Sequence, residues 1–306
     1  MASHHPLRAS LALLALTGLA SAQSGGIEIF AGETLFAQGT RVSIAHLFEQ
    51  RGTLYRGSEE IPDPQDRRYQ EQRVVLGYNY GLRSDVTLAA LVPFVGKELR
   101  QQTPGGIDSD AAYGLGDIAL MGKWRFYRKD APRTSTNFSL VGGVETPTGR
   151  TGVASNGQPL PAGLQPGSGS WDPFLAVAGT YSYGRFRADA QVLGKWNTEG
   201  TTGYESGDDL VFSLSGAYRF WHEQYPGPSH SAKLGLLWRD KGSATQYGQH
   251  QPNSGYTELI LRPGFTFHPS PGIDIVLAVD LPIDQNYEGV QLGLDFRSFA
   301  AIGIRF

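Results

Sequence analysis

The sequence predicts an all-β chain, a transmembrane antiparallel up-and-down barrel of about twelve strands. Three observations predict it. The chain ends on Ala300, Ile302, Ile304 and Phe306, apolar side chains at every second position, with Gly303 and Arg305 between them. A strand has a side-chain period of two, so this tail shows one apolar and one mixed face. The same parity runs back through Val290, Leu292, Leu294 and Phe296. Alternating segments then recur from about residue 41 to the end, each near the roughly ten residues that a tilted membrane strand needs. The connections between them differ in length in a regular way.

The first residues stand apart from this pattern. His4, His5 and Arg8 give a weakly basic start, Leu11 to Ala20 an apolar stretch, and Ala20-Ser21-Ala22 a small-x-small cleavage site. This reads as a secretory signal over residues 1–22, too short to span a bilayer. The segment Gly25–Gly39, with Ile27-Glu28-Ile29-Phe30, precedes the first strand. Residues 23–40 read either as a periplasmic extension or as a plug in the lumen, and residues 41–306 as the barrel.

Composition agrees. No continuous apolar run of roughly eighteen residues follows the signal, so no transmembrane helix is predicted. Cysteine is absent, which leaves neither a disulfide framework nor thiol chemistry. A net charge of -3 gives no argument for nucleic acid or for a polybasic membrane patch. Forty glycines and 11% aromatic residues favour a β chain with many turns.

Strands are predicted at 41–50, 69–80, 85–96, 113–127, 136–147, 172–183, 186–197, 209–220, 230–241, 255–267, 273–282 and 289–306. The connections after the even strands are short: Gly81–Ser84, Arg128–Ser135, the corner Tyr183-Gly184-Arg185, Trp221–Ser229 and His268–Gly272. Those after the odd strands are mostly longer and polar or rich in glycine and proline: Arg51–Arg68, Lys97–Ala112, Thr148–Trp171, Thr198–Asp208 and Gly242–Ser254, with Ile283–Glu288 the short exception. Long loops at one end and tight turns at the other are the bacterial outer-membrane pattern, with both termini on the periplasmic side.

Charge parity sharpens this. Val74, Leu76, Tyr78 and Tyr80 oppose Arg73, Gly77 and Asn79 in the second strand. Ile118, Leu120, Trp124 and Phe126 oppose Asp117, Lys123 and Arg125 in the fourth; Phe186, Ala188, Ala190 and Val192 oppose Arg187, Asp189, Gln191 and Lys195 in the seventh. The ninth, tenth and eleventh strands set Lys233 and Arg239, Glu258 and Arg262, and Asp274 and Asp280 on the face away from their leucines and isoleucines. A charge facing lipid near the midplane costs roughly 2–4 kcal/mol, which is the physical reason for this parity. His46 is a misfit, sharing parity with Val42, Ile44 and Phe48; it marks either an interface position or a register error. Tyr80, Phe126, Phe138, Tyr183, Phe186, Phe220, Phe267 and Phe306 flank the short turns, where an aromatic girdle belongs. Prolines Pro93, Pro147, Pro173 and Pro282 sit at strand ends, and Pro263 in mid-strand predicts a bulge.

At Gly114-Leu115-Gly116-Asp117, Lys123-Trp124-Arg125-Phe126, Glu145-Thr146-Pro147-Thr148-Gly149 and Leu91-Val92-Pro93-Phe94 the chain resembles a known family. These are the outer-membrane proteins assigned to the meta-cleavage pathway of phenol degradation. The resemblance covers most of the mature chain and implies a single-chain barrel that passes small, often aromatic or hydrophobic, compounds. A last strand ending on Phe306 further implies reading by the barrel assembly machinery, and outer-membrane lipids as surroundings.

Enzyme chemistry is not legible. The one His-x-Ser, His268-Pro269-Ser270, lies in a predicted periplasmic turn, whereas an outer-membrane lipase needs that pair near the outer rim. The acidic pair Asp208-Asp209 has no histidine near it in sequence for a protease couple. His46, His222, His230, His250 and His268 lack metal-ligand spacing, and Ser155–Gly169 leads into no Lys-Ser/Thr of a phosphate-binding loop. No catalytic residue, metal or cofactor is assigned.

That leaves the lumen. The inward candidates for selectivity are Asp117, Lys123, Arg125, Glu145, Arg187, Asp189, Lys195, Arg219, Lys233, Arg239, Glu258 and Arg262, with Arg73, Asp274, Asp280 and Asp295 on the same face. A slight basic excess among them favours anionic solutes such as aromatic carboxylates; alternatively these side chains pair across strands and fill a narrow barrel. Thr148–Trp171, the longest predicted loop, is the candidate for an infolded constriction, with an exposed loop as the default. The expected function is a passive channel for small solutes. The alternatives are a barrel hydrolase and a structural barrel with a sealed lumen.

Overall fold

The computed structural model describes residues 31–155 and 157–306; the expected signal peptide and Ile27–Phe30 lie outside the described residues. The strands are β1 (Thr40–Gly57), β2 (Arg68–Arg83), β3 (Val86–Thr103), β4 (Gly106–Leu115), β5 (Ala119–Ala131), β6 (Thr134–Glu145), β7 (Asp172–Tyr183), β8 (Phe186–Lys195), β9 (Asp209–His222), β10 (Ser229–Lys241), β11 (Tyr256–Ser270) and β12 (Ile273–Arg305). Among the described residues the only helical element is a single 3-10 turn, Ala162–Leu164, and no helix is long and apolar enough to cross a membrane.

Each ring strand pairs with its neighbours in the chain, and β12 pairs back to β1, so the sheet closes. Two pieces of this sheet stay outside the ring: β4, which pairs only with β3, and the two-residue strand Glu59–Glu60 on β1. Eleven elements therefore form the ring, all antiparallel. An odd number of straight antiparallel strands cannot close on itself, so one element must reverse. That element is β12. Its first arm pairs with β11 up to Tyr287, its second pairs with β1 from Val290 onwards, and Gly289 turns between them at φ +68°. The arms touch where Gln285 Nε2 donates to the Leu294 carbonyl at 3.1 Å, and the Arg305 N–H donates to the carbonyl of Gly272, the residue before the first arm, at 2.8 Å. Counting β12 twice gives the twelve crossings that the sequence predicts.

Burial follows the alternation and identifies the faces. In β1, Arg41, Ser43, Ala45, Leu47 and Glu49 are buried while Val42, Ile44 and His46 are exposed. The exposed set is apolar and the buried set mixed, the reverse of a soluble protein. His46 thus truly projects outward, and the register is correct. The girdle residues Phe126, Phe138, Tyr183, Phe186, Phe220 and Phe306 are exposed beside the short turns, with contacts such as Phe186–Tyr218 at 4.7 Å.

Three expectations need correction. The strand expected at 113–127 is broken: β4 ends at Leu115 and β5 starts at Ala119. Both pair with β3, β4 along Phe94–Thr103 and β5 along Val86–Leu91. The break falls where Asp117 leaves the sheet to hold a loop, a tertiary role that periodicity does not register. The residues around 97–112 form a hairpin rather than a loop, because β3 runs for 18 residues and outlasts the membrane. The bulge expected at Pro263 lies instead between Leu259 and Ile260. Pro263 keeps its place opposite Leu234, while the ladder to β12 skips Arg262 and Pro263, where a missing N–H breaks no bond.

Candidate solute path through the lumen

Inside the ring the side chains form tiers. An apolar belt runs round the inner wall through Leu47, Val75, Leu91, Met121, Val141, Phe174, Leu193, Val211, Leu237, Ile260, Val276 and Phe299. Alternation alone predicts a polar inner face, yet most strands place one or two apolar residues there. On either side of the belt the wall is charged. The buried cations are Arg41, Arg51, Arg73, Lys97, Lys123, Lys195, Arg239, Lys241 and Arg297; the buried carboxylates are Glu49, Glu71, Glu145, Asp172, Asp189, Asp209, Glu258, Asp274 and Asp280. These are nine of each, so the fully buried charge balances, and among the half-buried inward residues Arg187, Lys233 and Arg262 are matched in number by Glu33, Asp117 and Asp295.

The carboxylates and cations are interleaved. Glu49 binds Arg51 and Arg297, both at 2.7 Å, and Arg297 reaches Asp280 at 3.1 Å. Arg262 forks onto the same Asp280, its Nη2 at 2.7 Å. Arg51 continues to Glu258 at 3.1 Å, and the Tyr287 hydroxyl donates to Glu258 at 2.9 Å. Arg41 pairs with Asp274 at 2.7 Å and Lys241 with Asp209 at 3.0 Å. Such pairs satisfy charges that would be costly to bury alone.

Of the twelve expected selectivity residues, the structure brings some together and scatters others. Lys195 Nζ lies 2.6 Å from Glu145 and 3.7 Å from Asp172. Arg187 grips Asp189 at 2.8 Å, with Lys233 at 3.9 Å from the same carboxylate. Arg239 faces Glu258 at 3.9 Å, and none of its three nitrogens makes a hydrogen bond. Lys123 is buried in the wall. Arg125 sits instead at the short-turn rim, donating to the Ser84 carbonyl at 2.8 Å, and Arg219 is exposed at the same end of β9. Asp117 is off the strands altogether. Sequence reading missed Arg41, Glu49, Arg51, Glu71, Lys97, Asp172, Asp209, Lys241 and Arg297. All share the parity of the inward set, and the signal was there once each alternation is carried to the strand's true end; Lys97 lies one residue past the expected third strand.

The chain also enters its own lumen twice. Between β6 and β7 the longest loop folds inward: Leu160 and Gly163–Gly167 are buried. Asp117 is its hub, accepting from the Gly149 N–H at 2.9 Å, the Ser168 N–H at 2.6 Å and the Ser168 hydroxyl at 2.8 Å. Gly149 and Gly167 pass so close that a Cβ on Gly149 would lie 2.6 Å from the Gly167 Cα. Lys195 staples the loop's base, since Glu145 ends β6 and Asp172 begins β7. A cavity of about 80 Å³ lies beneath, lined by Arg73, Lys97, Asp117, Glu145, Gln165 and Tyr204 among others. The infolded arrangement, not the exposed default, is what the loop adopts.

At the other end, residues 31–35 run along the inner wall ahead of β1. The Gly32 N–H donates to Thr180 Oγ1 at 2.9 Å, and Ser139 Oγ donates back to the Gly32 carbonyl at 2.7 Å. The Leu35 N–H donates to Thr87 Oγ1 at 2.9 Å, and Glu33 pairs with Arg187 at 2.8 Å. Only glycine fits at position 32, where a Cβ would lie 2.1 Å from the Asn137 carbonyl oxygen. No group of three or more metal-ligating side chains occurs among the described residues. His268 and Ser270 lie at the short-turn end of β11.

A closed antiparallel barrel with an apolar outer face, a charged interior and short turns at one end is an outer-membrane β-barrel. Comparisons agree. Residues 67–296 match the family described as "Putative MetA-pathway of phenol degradation", and the chain belongs to that family. The fold is similar to that of the COG4313 outer membrane channel from Pseudomonas putida F1, with TM-score 0.65 and 16% identity, covering 90% of this chain and 97% of that one. It is also similar to the β-domain of the Bordetella autotransporter BrkA, with TM-score 0.50 and 10% identity over 88% of this chain and 100% of that one. No curated protein matches the sequence.

Proposed function

We propose that this barrel is a passive outer-membrane channel for small solutes, with aromatic or hydrophobic compounds as cargo in keeping with its family. The observation that carries the reading is the charged inner wall above the apolar belt, with a cavity under an infolded loop rather than a solvent-exposed one. Selectivity then falls to inward charges: Glu145, Lys195, Arg187, Asp189, Lys233, Arg239, Glu258 and Arg262, with Lys123 in the wall, Asp117 through the loop, and Arg125 and Arg219 at the periplasmic rim. Rings of charge set selectivity in pores. Residues 31–35 act as a periplasmic plug, which favours the plug over the free extension for the described part of the segment before β1. Single-channel conductance of the refolded mature protein in a planar bilayer, with and without small aromatic acids, tests this. Discrete current steps that such acids block are expected, and silence under all conditions would overturn it.

A second reading, a structural barrel with a sealed lumen, is favoured by the belt and the balanced ion pairs. The same silence would support it. As for assembly, Phe306 is exposed and its N–H closes onto the Thr40 carbonyl at 2.8 Å. Its ring is free for the assembly machinery, and Phe306→Ala is expected to lower the yield of heat-modifiable barrel in the outer membrane.

A further inference from the structure

We propose that Lys97, together with the apolar shelf above it, is a binding site for a small carboxylate with an apolar body, and that the infolded loop occupies this site as a stand-in ligand. The proposal rests on the small-solute channel reading and names the chemistry that the channel recognises.

Lys97 is the exception among the buried cations of the upper tier. Its neighbours Arg51, Lys195, Lys241 and Arg297 each hold a carboxylate. Lys97 holds none; its ammonium donates to the backbone carbonyl of Gln165, within the loop. Glu71 stands opposite Lys97 in register, yet its oxygens are taken by Arg73 and by the Tyr69 hydroxyl at 2.8 Å. A carbonyl is a weaker acceptor for an ammonium than a carboxylate is. A buried lysine whose only acceptor is a displaceable loop therefore favours an incoming anion.

Directly above it the wall turns apolar. Leu99 lies two residues along the same inward face, opposite Tyr69; same-face neighbours on a strand are about 7 Å apart. Tyr69 and Leu99 belong to a cluster with Leu54 and Leu292 from the wall. Of the remaining buried members, Ala112 comes from β4, and Leu160 and Leu164 come from the loop itself. The loop thus presents apolar side chains to the shelf and an acceptor oxygen to the lysine. That is the layout of an aromatic acid with its ring above and its carboxylate below.

The loop is held in this pose by its own side chain. Gln165 Nε2 donates to the Val153 and Leu160 carbonyls, both at 2.9 Å, and its Oε1 accepts from the Val153 N–H at 2.8 Å. Beneath it the cavity offers the Tyr204 hydroxyl and Ser206 Oγ, both buried and without a hydrogen-bond partner. A solute that displaces Leu160–Gln165 gains both the shelf and the lysine and lies over that cavity.

The test is calorimetric titration of benzoate and benzyl alcohol into the full mature protein in detergent, in wild type, Lys97→Met, Lys97→Arg and Leu164→Ser. Folding of each is checked by heat-modifiable mobility, and Lys97→Arg keeps the charge if Lys97→Met does not fold. Benzoate is expected to bind at least about tenfold more tightly than benzyl alcohol, because only the anion gains a charge-assisted bond. Lys97→Met should abolish that preference, Lys97→Arg should keep it, and Leu164→Ser, which weakens the stand-in, should tighten benzoate binding. Equal binding of the two probes overturns the proposal. So does undiminished benzoate preference in Lys97→Met, or no benzoate binding in both wild type and Leu164→Ser. A protein that binds benzoate in this way yet passes no current in a bilayer would retain the site and lose the channel reading.

Discussion

The lumen has two occupants, and they are held by different chemistry. The loop between β6 and β7 is anchored by a carboxylate hub at Asp117, a stapled base at Lys195 and two leucines in an apolar cluster. The segment 31–38 is held by backbone bonds to wall hydroxyls at Thr87, Ser139 and Thr180, and by the partly exposed pair Glu33–Arg187. Breaking a buried ion pair or truncating buried apolar area costs several kcal/mol, whereas exposed ion pairs contribute about 1 kcal/mol or less. The extracellular occupant is therefore held the more firmly, and gives way only to a solute that takes over its contacts with Lys97 and the apolar cluster.

The largest test of that contrast is Lys195→Met. It leaves Glu145 and Asp172 buried without their cation, and a loss of about 3–5 kcal/mol is expected in urea unfolding, with the loop becoming sensitive to external protease. Leu164→Ala comes next. Truncating a buried leucine costs about 2–5 kcal/mol, here read as faster protease cleavage of the loop at unchanged barrel mobility on gels. Asp117→Asn keeps the geometry but removes the charge from three hydrogen bonds, so about 1.5 kcal/mol of loop anchoring should go.

On the periplasmic side the effects shrink. Thr180→Val deprives the Gly32 N–H of its acceptor and should weaken the segment by about 1 kcal/mol, seen as more frequent openings in single-channel records. Glu33→Gln, which spares the Arg187–Asp189 pair, should do the same by less than about 1 kcal/mol, and its effect should fade as salt rises. If Glu33→Gln opened the channel as strongly as Lys195→Met, the two occupants would be equivalent and the contrast would be wrong.

Much of this was legible from residue order. The parity of Val42 and Ile44 against Arg41 and Ser43 already separates lipid face from lumen, because a strand turns alternate side chains to opposite sides and lipid excludes charge. His46 shows how far that logic reaches: its parity leaves an interface position or a register error, and the histidine lies on the outer face in correct register. The break at Gly116–Ile118 was invisible because its cause is the Ser168 N–H, fifty-one residues downstream in the chain. The apolar belt was missed for a related reason: alternation reports that a face is turned inward, not what the opposite strands need there to fill the space.

The sequence alone determined the all-β class, the twelve crossings, the side on which turns and termini lie, and which face meets lipid. These follow from a period of two and from the cost of charge in hydrocarbon, both local properties. Only the tertiary structure decided which inward charges meet, that Lys97 has a loop carbonyl where Lys195 and Lys241 have a carboxylate, and that the longest loop and residues 31–35 lie inside the barrel. Those outcomes depend on ring closure, which sets residues as far apart as Arg41 and Asp274 side by side, and no one-dimensional pattern encodes that distance.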